Sequence, residues 1–140
     1  MKYTPEKITE LEPNQIFVFG ANEAGVHGAG AARQALKWGA KMGQIGPNGQ
    51  TYGLPTKDKH IKTLPLPRIR TYINIFLAYA KYKPDAEFLV TKIGCGLAGY
   101  TEKDIGPLFM EYFLPPNVIL PFEFSRVDDT THDAYWLGKF

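Results

Sequence analysis

The chain has 140 residues, the size of one domain, and its 44% hydrophobic and 14% aromatic content is enough for a core without disulfides or metals. Its net charge of +2 is too small to predict nucleic acid as the main partner, and its single cysteine excludes an internal disulfide and a multi-cysteine zinc site. No apolar run could cross a bilayer, and residues 1–6 lack the apolar stretch of a signal peptide, so we expect a cytoplasmic location and no membrane partner.

The hydrophobic pattern predicts strands and helices that alternate along the chain. Short apolar runs predict strands at 16–19, 50–54, 88–93 and 117–122, and Pro55 is expected to stop the second strand. Helical spacing of small or apolar residues predicts helices over 29–42, over 69–80 and after Thr101. The remaining segments at 43–49 and 56–67 are predicted as loops, the latter with a short strand near 62–64. This order predicts one α/β domain over residues 1–140, with a largely parallel sheet and helices on both faces.

The third helix has a clear start signal. Thr101 is a predicted N-cap, and Asp104 three residues later completes a capping pattern. Pro115 and Pro116 are expected to end the segment. The predicted buried face consists of Ile105, Leu108, Phe109 and Tyr112.

Two glycine-rich loops follow predicted strands and lead into predicted helices. We call residues 20–32 the first loop and residues 93–100 the second loop. Ligands of open parallel sheets bind beyond the carboxyl ends of the strands, where glycine lets backbone amides approach an anion. Two such loops facing each other could hold a pyrophosphate without a metal or cofactor. The sequence therefore predicts neither a metal site nor a cofactor. The alternative interpretation is two tight turns with no ligand, since neither the phosphate-loop motif nor the full dinucleotide fingerprint is present.

The flanks of both loops resemble the macro domain family. The resemblance rests on the run 17–22 followed by 27–32, and on the run 92–97 followed by Tyr100. It is closest to the branch that contains the terminal ADP-ribose protein glycohydrolase and its bacterial DNA-directed relatives, and it extends from about Ile8 to Phe124. The resemblance implies a three-layer α/β/α fold that binds ADP-ribose, or a related NAD-derived nucleotide, in a cleft above the sheet.

The resemblance also implies which residues contact the ligand. Asn22 matches the family asparagine near the distal ribose, and Lys57 falls near the lysine that this branch uses as its nucleophile. Two positions depart from the family pattern: Ala98 stands where the branch has its catalytic aspartate, and Lys7 stands near the acid that reads adenine, with Glu6 beside it. The expected ligand-binding residues are Gly20, Ala21, Asn22, Gly28, Ala29, Gly30, Gly94, Cys95, Gly96, Leu97, Ala98, Gly99, Tyr100 and Phe124.

Several of these side chains have a chemical and a structural interpretation. His27 is either a general base acting on water or a loop histidine bonded to backbone, and Lys57 with Asp58 is either a nucleophile with its orienting carboxylate or a surface turn. Cys95 is either a reactive thiol or a small side chain in a tight loop. Tyr100 is expected at the ribose or the diphosphate, while Phe124 either stacks on adenine or belongs to the core.

Three functional hypotheses follow. The first is an enzyme that hydrolyses an ADP-ribosyl bond on a protein, nucleic acid or small ester, with His27, Asn22 and Lys57 as catalytic candidates. The second is a binding module, a reader or sensor without turnover, which Ala98 favours. The third and weakest is a nucleic-acid-binding protein that uses a basic stretch. That stretch contains Lys57, Lys59, Lys62, Arg68 and Arg70. A group of Asp128, Asp129, His132 and Asp133 is interpreted as solvated rather than metal-binding.

Overall fold

The computed structural model describes residues 2–125, and the acidic and histidine residues at 128–133 lie outside them. Within residues 2–125, five strands form one mixed sheet in the order β2-β3-β1-β4-β5, with β2 antiparallel to β3 and the other pairs parallel. None of the helices in this part of the chain is long and apolar enough to span a bilayer. The elements in chain order are β1 Gln15–Asn22, α1 Gly30–Ala35, a 3-10 turn Leu36–Trp38, β2 Gly46–Asn48, β3 Thr51–Lys57, α2 Leu66–Lys81, β4 Glu87–Val90, α3 Glu102–Phe109 and β5 Val118–Ile119. The α/β class and the largely parallel sheet are confirmed.

The sheet separates two hydrophobic cores. Side chains along β1 alternate between them, because successive residues of a strand point to opposite faces. Val18 packs into the larger core with α2 and α3, whereas Phe17 and Phe19 pack into the smaller core beside α1. Both faces of the sheet are therefore packed against a core. The loops that leave its strands start from this packed sheet.

The helix predicted over 69–80 is confirmed as α2, and the apolar residues at spacings of three and four along it are buried. Its buried residues are Ile69, Ile73, Phe76, Leu77 and Ala80.

The capping pattern at α3 is also confirmed. The Asp104 carboxylate accepts hydrogen bonds from Thr101 N at 2.9 Å and Thr101 Oγ1 at 3.0 Å. Tyr112 was expected in the buried face but is 69% exposed, because α3 ends at Phe109. Helix α3 lies very close to the helical turn at 122–125: a Cβ at Gly106 would stand 2.8 Å from the carbonyl oxygen of Phe124.

The prediction of a helix over 29–42 is wrong in length, because the observed helical segment is shorter. It contains six α-helical residues and a 3-10 turn, and it stops at Gly39, whose φ of 110° is outside the helical range. At that point Gly39 meets Gly49 so closely that a Cβ on Gly39 would lie 2.9 Å from the Gly49 Cα. The predicted loop at 43–49 is therefore packed, at Gly49, against the end of the 3-10 turn. Part of this predicted loop forms β2.

Pro55 does not stop β3, which continues to Lys57. Strand β2 pairs with β3 no further than Gly53, so one edge of β3 is open at Pro55 and a residue without an N–H is tolerated there. The last two predicted strands are shorter than expected, at 87–90 and 118–119. The expected short strand near 62–64 is a single antiparallel bridge between Lys57 and Thr63.

Candidate functional site

The two glycine-rich loops line one cavity of about 360 Å³ at the carboxyl ends of β1, β3 and β4. Its size lies within the range of small-molecule sites. The predicted site residues that line it are Gly20, Ala21, Asn22, Gly28, Ala29, Lys57, Gly94, Gly96, Leu97 and Ala98. The predicted site residues that do not line it are His27, Gly30, Cys95, Gly99, Tyr100 and Phe124.

The lining of this cavity is cationic. Lys57 and Lys92 are its charged side chains, and no carboxylate lines it among the residues that the structure describes. Lys92 lies 3.7 Å from a Glu102 carboxylate oxygen and 3.4 Å from one of Glu123, whereas Lys57 takes part in no salt bridge within residues 2–125. A cavity with this charge pattern is suited to an anionic ligand, with Lys57 as the cation available to pair with it.

Asn22 shapes the first loop rather than presenting its amide to the cavity. Its Nδ2 donates to the Val26 carbonyl at 2.8 Å, and its Oδ1 accepts from the Val26 N–H at 3.0 Å. The chain then turns at Gly25, where a Cβ would lie 2.4 Å from the backbone nitrogen of Gln44. Both amide atoms of Asn22 are thus committed to holding the loop closed.

Glu23 fixes the start of the first loop to α2. Its carboxylate accepts hydrogen bonds from the Tyr72 hydroxyl and from Arg68, whose Nη2 lies 2.7 Å away. The hydrogen bond from Tyr72, followed by that from Arg68, holds the pKa of Glu23 below its ordinary value. The pair also neutralises Arg68, so this arginine is not available for a second anion.

His27 lies behind the first loop and not in the cavity. The residue is 2% exposed, its ring packs edge-on against Phe19, and Nε2 is 2.9 Å from the Lys41 carbonyl oxygen. Since that carbonyl can only accept, Nε2 carries the proton, and Nδ1 is buried with no hydrogen-bond partner among residues 2–125. The interpretation of His27 as a general base acting on a bound ligand is therefore not supported by its position, whereas a loop histidine bonded to backbone is.

The second loop is bonded to the segment after β3. Thr63 Oγ1 donates to the Ala98 carbonyl at 2.8 Å, and the Tyr100 hydroxyl donates to the Leu64 carbonyl at 2.7 Å. Tyr100 is therefore a strut between the loop and the segment after β3, and its hydroxyl is not directed to a ribose. The positive φ of Gly94, 76°, brings the chain against Ile105, where a Cβ would stand 3.0 Å from the Ile105 Cδ1.

Cys95 is suited to packing rather than to nucleophilic chemistry. Burial, with a smaller contribution from the nearby Glu102 carboxylate, raises the pKa of its thiol to about 11. A thiol with this pKa is almost entirely protonated near neutral pH, and the thiolate is the reactive form.

The turn after β3 does not pair Asp58 with Lys57. The Asp58 Oδ1 accepts from the backbone N–H groups of His60 at 2.8 Å and Lys62 at 3.0 Å. These bonds lower the pKa of Asp58 and close the turn. The predicted role of Asp58 as an orienting carboxylate is thus replaced by a structural one, while Lys57 still lines the cavity.

The predicted adenine-stacking ring, Phe124, has no exposed surface. It stacks on Phe109 with ring centroids 5.8 Å apart and belongs to the larger core. Phe122, two residues earlier, is 46% exposed and lines a second cavity of about 480 Å³. Glu6 and Glu123 also line this second cavity, and Thr91 and Lys92 line both cavities.

Four functional candidates were missed from the sequence. Thr91 and Lys92 directly follow β4, so the rule that ligands bind beyond strand ends could have found them. Ile61 and Phe122 carried no such signal, because an aliphatic residue in a loop and an aromatic residue after a strand are common in any α/β protein.

The basic stretch does not form one free cationic face. Arg68 is paired with Glu23, and Arg70 Nε lies 3.1 Å from a Glu111 carboxylate oxygen. Lys59 and Lys62 are exposed on the turn after β3. Comparison with models of known protein families, with curated proteins and with solved structures finds no match for this chain.

Proposed function

We propose that this chain binds ADP-ribose, or a closely related NAD-derived nucleotide, in a macro-domain-like three-layer α/β/α fold. The observation that carries the proposal is that two glycine-rich loops line one cavity whose charged side chains are lysines. At Gly28 and Gly96 an added Cβ would meet no atom within 4 Å, so the backbone there is open to a ligand. Open backbone in both loops, with Lys57 and Lys92 in the same cavity lining, is suited to a diphosphate.

The second cavity is suited to the base of the nucleotide. Phe122 offers a partly exposed ring on which a purine can stack. Tyr3 packs against Phe122 in a T-shaped pair, with the ring centroids 5.0 Å apart. Glu6 and Glu123 supply acceptors for an exocyclic amine. In this arrangement the base lies beyond Lys92, the diphosphate spans the two loops, and the distal sugar lies at the Lys57 end.

Binding without turnover is the function that the geometry supports best. His27 lies outside the cavity, the Asn22 amide is used within the first loop, and Ala98 provides no carboxylate to move a proton. Hydrolysis of an ADP-ribosyl bond is the second candidate because Lys57, an amine without a salt bridge within residues 2–125, lines the cavity. Nucleic-acid binding is the weakest, since Arg68 and Arg70 are already paired.

Calorimetry with ADP-ribose, ADP and adenosine tests the binding proposal on the full chain. We expect ADP-ribose and ADP to bind and adenosine, which lacks the diphosphate, to bind far more weakly. Lys57→Met should weaken ADP-ribose about 10- to 100-fold, the loss of one charge-assisted contact. Lys59→Met is the matched control, because Lys59 is exposed on the same turn outside the cavity lining, and it should change affinity less than twofold. Absence of ADP-ribose binding, or equal effects of the two variants, contradicts the proposal.

A product assay separates the reader from the hydrolase. The full chain is incubated with an ADP-ribosylated protein and an ADP-ribosylated oligonucleotide, and released ADP-ribose is measured. A reader releases none while still binding the free nucleotide. Release that disappears in Lys57→Met and persists in Lys59→Met would replace the reader by the hydrolase.

A further inference from the structure

Ile61 has an unusual backbone conformation. Among residues 2–125 it is the one non-glycine residue with a positive φ, 64°. A β-branched side chain is the least suited to this left-handed region, because its Cβ substituents crowd the backbone there. Asparagine or glycine would adopt the same conformation more easily. Nothing in the packing of the turn explains why isoleucine stands there.

The turn around Ile61 enforces the conformation. Asp58 N donates to the Lys62 carbonyl at 2.7 Å, and Ile61 N donates to the Asp58 carbonyl at 3.1 Å. Together with the two bonds to the Asp58 carboxylate, these contacts leave Ile61 little freedom. The backbone conformation of Ile61, and with it the position of its Cβ, is therefore set by the turn itself.

Ile61 lies at the cavity. Ile61 is 50% exposed and lines the cavity together with Val26 of the first loop, 49% exposed, and Leu97 of the second loop, 85% exposed. Three exposed aliphatic side chains from three separate segments thus meet around a space whose charged groups are lysines. Exposed apolar groups gathered at one concave site are typical of ligand contact.

We infer that Ile61 is a specificity-determining residue that packs on the distal sugar of the bound nucleotide. The inference rests on the proposed function, in which that sugar lies at the Lys57 end of the cavity. A ribose presents C–H groups on the face away from its hydroxyls, and an aliphatic side chain is the natural partner for that face. Ile61 then favours ADP-ribose over ADP, because ADP has no second sugar to cover.

The test compares ADP-ribose with ADP in three variants by calorimetry, and measures their thermal unfolding. Ile61→Asn should weaken ADP-ribose about three- to tenfold, as expected when a half-exposed isoleucine is no longer buried by the ligand, and should leave ADP unchanged. The same variant should unfold about 3 °C higher, because asparagine tolerates the left-handed conformation. Ile61→Leu should keep the ADP-ribose affinity within about twofold.

Ile75→Ala is the control, since Ile75 is 54% exposed on α2 and does not line the cavity; both affinities should stay unchanged. If ADP-ribose binds but Ile61→Asn leaves the ratio of the two affinities unaltered, the inference is overturned while the proposed function stands. A lower unfolding temperature together with weaker binding of both nucleotides would also overturn it, since Ile61 would then be a structural residue of the turn. Failure of the parent chain to bind either nucleotide overturns both.

Discussion

The two glycine-rich loops face the same cavity but are stabilised in different ways. The first loop is closed by its own polar side chains, with Asn22 bonded to Val26, Glu23 to α2 and His27 to the Lys41 carbonyl. The second loop has few polar side chains: Thr63, outside the loop, donates to its Ala98 carbonyl, and its last residue, Tyr100, donates to the Leu64 carbonyl. The side chains that most resemble catalytic groups are therefore the ones that build the first loop. What the two loops present to the cavity is backbone and the aliphatic side chains of Val26 and Leu97.

The largest effect that tests this difference concerns glycines. Gly25→Ala should destabilise the protein by about 3 kcal/mol or more, because its φ of 72° is unfavourable for alanine and the new Cβ would overlap the Gln44 backbone. Gly96→Ala in the second loop meets open space and should change stability by less than about 0.5 kcal/mol. Urea denaturation measures both. Equal losses would mean that the two loops do not differ in how tightly they are packed.

A smaller effect is expected at Asn22. Asn22→Ala removes both hydrogen bonds to Val26 and should cost about 2 kcal/mol, since the Val26 N–H and carbonyl lose two part-buried hydrogen bonds. Asn14→Ala is the matched control, because Asn14 is exposed and its side chain makes one hydrogen bond within residues 2–125, to the Asp85 carbonyl at 3.5 Å. Chemical denaturation should show almost no change for the control. If Asn22→Ala unfolds like the parent chain, Asn22 is not what closes the first loop.

The smallest effect is a pH dependence at Glu23. Its pKa is lowered in the folded state, so its ionised form stabilises the fold above the ordinary pKa of 4.5, and this contribution is lost as the pH falls through the lowered value. Glu23→Gln should therefore be less stable than the parent chain at pH 7, and the difference should shrink as the pH is lowered below about 4.5.

Thermal unfolding of the parent chain and of Glu23→Gln between pH 7 and pH 3 measures the difference in their stability. Glu10→Gln, at an exposed position, serves as the control and should run parallel to the parent chain. If the stability loss of Glu23→Gln grew as the pH fell, the ionised Glu23 would not be stabilised by its contacts with Tyr72 and Arg68.

The sequence was sufficient where local pattern decides the structure. Helix α2 follows from its apolar spacing, and α3 begins where the Thr101 and Asp104 pattern places it. The convergence of the loops on one edge follows from parallel strands. The stop at Gly39, after α1 and its 3-10 turn, did not follow, because it depends on the contact between Gly39 and Gly49, which are ten positions apart.

The assignment of side chains to the cavity was less predictable than the cavity itself. A histidine inside a glycine-rich loop reads as a catalytic group, but whether His27 faces the ligand or Phe19 depends on how the loop packs on the segment at 41–44. Phe122 and Phe124 lie two residues apart in one helical turn, and only their packing shows which is core and which is exposed. Asp58 differs from these cases, because its bonds to the His60 and Lys62 N–H groups are local and are typical of an aspartate that closes a turn.

The close approach of Gly106 to the Phe124 carbonyl has a consequence for how this protein could diverge. Any side chain at 106 would displace the turn at 122–125, and that turn carries Phe122 into the second cavity. Under the proposed function, a substitution at 106 would therefore alter base preference from a position that does not line either cavity. In a library selected for binding to a different nucleotide, a substitution at 106 would then count as an adaptive change even when every lining residue is unaltered.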